Sequence, residues 1–147
     1  MRLMLLVGLT FTLSLGAAGV VPAADEKDDD AKLIQGTWVV DPAVYKGVKD
    51  EEVVKEMKAV RVIFAGDSCT IKHPPGNEEE AVFRLDASKK PKQVDFLGKA
   101  EGIYELGKDN LKLCWTREFK TRGRPTKFAH AKEGNDPFLL VLIREKK

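Results

Sequence analysis

A change of hydrophobic period constrains this chain more than any other feature. From Ala59 onward the apolar residues recur at every second position: Val60, Val62 and Phe64 alternate with Arg61 and Ile63, and Phe83 shares a face with Leu85. Period two is the pattern of strands with one buried face. Turn signals break the pattern at Gly66-Asp67, Pro74-Pro75-Gly76-Asn77, residues 87–91, Gly98-Lys99 and Gly107-Lys108-Asp109. They predict strands over residues 36–40, 60–64, 68–73, 81–86, 93–97, 102–106, 110–116, 125–131 and 138–144, with 117–124 as a basic loop. Short strands punctuated about every 8–12 residues are the pattern of an all-β sandwich or barrel. The chain has 147 residues, 43% hydrophobic and 33% charged. That is enough polymer for one domain, and the balance excludes disordered and fibrous classes.

Two short helices precede or interrupt the strands. One turn is expected at residues 31–35, stopped by Gly36. A second helix is expected at 51–58, with Asp50 as its cap and Val53 and Met57 facing the body of the protein. Strand parity directs Trp38, Val40, Val62, Phe64, Ile71, Phe83, Leu85 and Val94 inward. It directs Phe96, Ile103, Leu111, Leu113, Trp115, Phe128, Leu140 and Leu142 to the same side. The last strand is apolar on both faces, so its outer face needs cover from the 51–58 helix or the 31–35 turn.

The first residues read as an address. Met1-Arg2 is followed by an uncharged run from Leu3 to Val21, then Pro22-Ala23, with charge resuming at Asp25. This is a secretory signal pattern, giving 1–23 as signal peptide, 24–35 as acidic leader and helical turn, and 36–147 as the barrel domain. The alternative for the same run is a membrane anchor. With the signal removed, the expectation is an exported protein of the periplasm or the extracellular space, without stable membrane insertion. Export permits a disulfide. However, parity points Cys69 inward and Cys114 outward, so two unpaired thiols are expected.

Gly36-Thr37-Trp38, following a helical turn, resembles the Gly-x-Trp signature of the lipocalin superfamily. The resemblance implies an up-and-down antiparallel barrel of eight to nine strands. It also implies that Trp38 closes one end and that a basic residue of the last strand, here Arg144, covers the indole. A wider resemblance runs from residue 33 to 144. The strings LIQGTW, IFAGDSCTI, FRLDASKKPKQVDF, GIYELGKDNLKLCW, RPTKF and LLVLIR are similar to those of an uncharacterised family of exported planctomycete-type bacterial proteins with a lipocalin-like domain. That likeness implies fold and export and carries no activity.

Catalytic chemistry has little to stand on, and a small hydrolase or isomerase using a rim carboxylate or histidine is the least favoured reading. His73 and His130 are the only histidines, with no metal-ligand spacing, and no G-x-S-x-G string is present. Neither a catalytic residue, a cofactor nor a metal site is assigned. The one charge cluster is Arg117, Lys120, Arg122, Arg124 and Lys127, with Glu118 the only acid among them. It reads as a site for an anionic glycan or protein partner, or as a solvated loop that pairs with the acidic segments 25–30 and 78–80. Net charge of +2 and sparse aromatics in the loop argue against nucleic acid. The leading expectation is a non-catalytic binder holding a small hydrophobic ligand inside the barrel. Its wall would include Trp38, Phe64, Phe83, Phe96, Trp115 and Phe128, and Gly36, Trp38 and Arg144 would be structural.

Overall fold

The computed structural model describes residues 29–129 and 137–146. The signal-like run and His130 lie outside these residues. Eight antiparallel strands close into a barrel in which each pairs with its neighbours in sequence: β1 (Gly36–Val40), β2 (Arg61–Ala65), β3 (Ser68–His73), β4 (Asn77–Asp86), β5 (Lys92–Phe96), β6 (Ala100–Leu106), β7 (Asn110–Thr116) and β8 (Phe138–Arg144). β8 returns to β1 with Trp38 opposite Arg144 and Val40 opposite Leu142. The barrel is all-β, as parity and turn signals predict, and lipocalin-like, as the resemblance implies. No helix among the described residues is long and apolar enough to cross a membrane.

Helices sit at the two ends. α1 (residues 29–33) lies below the closed end. α2 (Pro42–Tyr45) and α3 (Glu51–Ala59) fill the long β1–β2 connection, and α4 (Phe119–Arg122) is a turn within the β7–β8 connection. Asp50 Oδ1 accepts from the backbone N–H groups of Glu52 and Val53, which starts α3 where the sequence predicts. Met57 and Tyr45 pack against the barrel core from this side. α3 packs on β1 and β3, and α1 sits at the floor, where Arg144 of β8 donates to the Leu33 carbonyl.

Three features depart from the sequence pattern. β4 begins at Asn77 rather than Ala81, drawing Glu78, Glu79 and Glu80 into the sheet. Their register against β3 puts Glu78 opposite Lys72, with the charges 3.9 Å apart, which offsets the weak strand preference of glutamate. The expected strand at 125–131 does not form over its described part: residues 124–129 run as an irregular strap over the outer wall. Arg124 bolts that strap down, donating to the Val94 and Gly102 carbonyls at 3.0 and 2.8 Å and to Asp95 Oδ1 at 2.6 Å.

Ile103 faces outward, not inward. The inner row of β6 is Ala100, Gly102, Tyr104 and Leu106, because Gly102 pairs with Trp115 and Tyr104 with Leu113. A Cβ at Gly102 would come within 2.5 Å of the Cys114 carbonyl and 2.9 Å of Trp115 Cβ, so glycine there makes room for the indole. Ile103 pairs with Cys114 on the outer wall, and both are buried beneath the strap. Cys114 Sγ donates to the Lys127 and Ala129 carbonyls. Cys69 sits in the core, and both thiols are free.

Candidate functional site

The closed end comes first, because it fixes which end is open. Gly36 holds φ +118°, and a Cβ on it would meet Arg144 Nη1 at 3.0 Å. The missing side chain lets the Arg144 guanidinium lie 4.3 Å from the Trp38 ring centre. Arg144 also donates to the carbonyls of Leu33, Gln35 and Lys108, tying β8 to the α1 segment and to the β6–β7 turn. Trp38 Nε1 donates to the Ile34 carbonyl at 2.8 Å. Beside it, buried Asp30 accepts from Tyr104 Oη at 2.6 Å and from Lys92 Nζ at 2.9 Å. Part of the acidic leader thus plugs the barrel floor instead of meeting the basic loop. Strand parity alone does not reveal this, because Asp30 precedes the first strand.

Above this floor the barrel is packed with side chains. Phe64 and Phe83 meet edge to face, 4.9 Å between centres. Phe96 and Trp115 pack 6.0 Å apart, and Trp115 lies 5.0 Å from Phe138. The filling fails at the opposite end, where the β3–β4, β5–β6 and β7–β8 connections meet. There Cys69, Ile71, Ala81, Phe96, Ala100 and Trp115 line a cavity of about 50 Å³. Ala81 pairs with Cys69 and Ala100 with Phe96, so two small residues on the inner row leave the gap.

The rim is charged. Glu79 and Arg117 fall on inward parity of β4 and just past β7, and Arg117 Nη2 donates to Glu79 Oε2 at 2.8 Å. His73 Nε2 stands 3.9 Å from the same carboxylate oxygen. Lys99 Nζ donates to the Glu80 carbonyl, while Ser68 Oγ donates to Glu80 Oε1 at 3.0 Å. Burial pushes the Cys69 thiol up to about 12. A thiol held neutral in this way is a poor nucleophile.

Of the six aromatic residues expected to form a ligand wall, the structure brings Phe96 and Trp115 to the cavity. Trp38 lies in the closed end, and Phe64 and Phe83 fill the barrel between. Phe128 is not in the barrel at all: it sits half-buried in the strap, beside a surface groove with Lys90 and Leu106. The inner rows of β1–β8 already close the wall, leaving no strand position for it. Cys69, Ile71, Ala81 and Ala100 complete the apolar lining; the first two were expected to face inward but not to line a site, and Ala81 and Ala100 were missed. The signal at Ala81 and Ala100 was size, since a small residue on an inward position leaves a gap.

The basic loop disperses. Arg117 turns to Glu79 at the rim, Arg122 pairs with Glu118 at 2.9 Å, and Arg124 bolts the strap. Lys120 and Lys127 are exposed. Among the described residues no group of three or more His, Cys, Asp or Glu side chains is placed to hold a metal ion. No family model matches the chain, and neither a curated protein nor a solved structure matches it.

Proposed function

We propose that this protein is an exported, non-catalytic binder that holds a small, mainly apolar ligand group in the open end of its barrel. One observation carries the reading: among the described residues the packed barrel gives way at one end to an apolar cavity beneath a charged rim. Such a combination suits a ligand with an apolar end and a polar body. The signal-like N-terminus supports export to the periplasm or beyond. The neutral Cys69 thiol and the Glu79 carboxylate engaged by Arg117 support binding without catalysis. The mouth is favoured over the basic loop as the site because Arg122 and Arg124 each already face a carboxylate and Arg117 belongs to the mouth itself.

Native mass spectrometry tests the reading on protein isolated gently from its exported compartment. The expected result is an added mass that disappears on denaturation. An equal mass before and after, together with no perturbation of the mouth residues by small apolar probes, refutes it.

A further inference from the structure

The two tryptophans differ in one respect. Trp38 has its indole acceptor at 2.8 Å. Trp115 is 5% exposed and lines the mouth cavity, yet its indole N–H has no acceptor among the described residues. A buried indole N–H ordinarily has one. A ligand oxygen in the cavity would supply the acceptor.

Size and charge narrow the ligand. About 50 Å³ is a third of the roughly 150 Å³ in which a benzene ring fits, so only a group of a few heavy atoms enters. Among the described residues the lining carries Glu79, Glu80, Lys99 and Arg117. Their carboxylates and cations can hydrogen-bond hydroxyl groups.

We propose that the cavity receives the acetamido group of an N-acetylated sugar. The methyl enters the apolar floor, the carbonyl oxygen accepts from Trp115 Nε1, and the ring hydroxyls meet the rim at Glu79, Glu80, Lys99 and Arg117. This assignment rests on the mouth being the binding site.

The test follows the two indole N–H resonances of the ¹⁵N-labelled protein, assigned with Trp115→Phe, during titration with four probes. N-acetylglucosamine should move the Trp115 resonance saturably and leave Trp38 in place. Glucose, which lacks the acetyl group, should move neither. N-methylacetamide should move the Trp115 resonance only at much higher concentration. Trp115→Phe keeps an aromatic ring and removes the donor. It should weaken N-acetylglucosamine binding about fivefold, the equivalent of one neutral hydrogen bond, read from the Ala100 amide. If N-methylacetamide binds as well as the sugar, the sugar assignment fails. If xenon perturbs the lining while neither acetamide probe does, the acetamido assignment fails and mouth binding survives. If no probe moves any mouth signal, both fail.

Discussion

Arg144 joins three parts of the chain that are far apart in sequence. Its guanidinium lies on Trp38 and its N–H groups hold the carbonyls of Leu33, Gln35 and Lys108. Charged hydrogen bonds and cation–π stacking at a partly buried site are each worth about 1–3 kcal/mol, with some of the contacts solvated. Arg144→Met is therefore expected to lower unfolding free energy by about 2–4 kcal/mol in urea titration, and a loss under 1 kcal/mol would contradict the assigned role. Cys69 gives a pH test. Its thiol titrates near 9.0 when unfolded and is pushed up to about 12 by burial in the fold. Between those values the unfolded chain sheds a proton that the folded chain keeps. Stability should then fall as pH rises through this window, by at most about 1.4 kcal/mol per unit. Cys69→Ala costs packing at every pH but removes that part of the slope. Urea titrations near pH 8 and 10 should show a smaller alkaline loss in the variant than in the parent.

The strap and α3 are the elements most open to separate test. The strap stays on the wall through Arg124, which satisfies two backbone carbonyls and one carboxylate, and it hides Cys114. Arg124→Ala is expected to loosen residues 123–129 and raise the alkylation rate of Cys114 at least tenfold, while Cys69, inside the barrel, stays slow. Mass-mapped labelling distinguishes the two thiols, and equal rates in parent and variant would remove the bolt from the account. α3 is a nine-residue helix, too short to hold by itself. Its Asp50 cap should contribute about 1 kcal/mol. Asp50→Ala is expected to speed amide exchange within α3 without changing exchange in β5–β7.

At the scale of the molecule, closure is the controlling property. Each strand has a partner on both sides, so the barrel presents no free edge. The last contact made along the chain, β8 on β1, is also the one that seals the barrel. A chain ended before Phe138 loses Leu142 from the core and opens both β1 and β7 to pairing with other chains. It is expected to lose cooperative unfolding and to associate, as read by circular dichroism and size-exclusion chromatography. A monomeric, cooperatively folded fragment would show that closure is not needed.

The sequence by itself determined the strands that alternate cleanly, the two-residue turn at Gly66-Asp67 and the Asp50 cap, while the Gly36–Trp38–Arg144 closure was implied by the lipocalin resemblance. These depend on neighbours within a few residues, or on a parity that any buried sheet imposes. In β6 that parity was readable but misread: Leu106 opposite Leu111 across the hairpin puts Tyr104, not Ile103, with Leu113. Phe96 and Trp115 were named from the sequence as ligand-lining, but among six aromatics that alternation alone could not rank. Only the tertiary structure decided that Phe64 and Phe83 fill the barrel while Ala81 and Ala100 leave it open at one end. It also decided that Asp30 seals the floor and that Arg124 and Phe128 belong to an outer strap. The reason is common to all of these. Packing and charge pairing act between residues brought together by closure, and a gap is defined by what surrounds it from every strand at once.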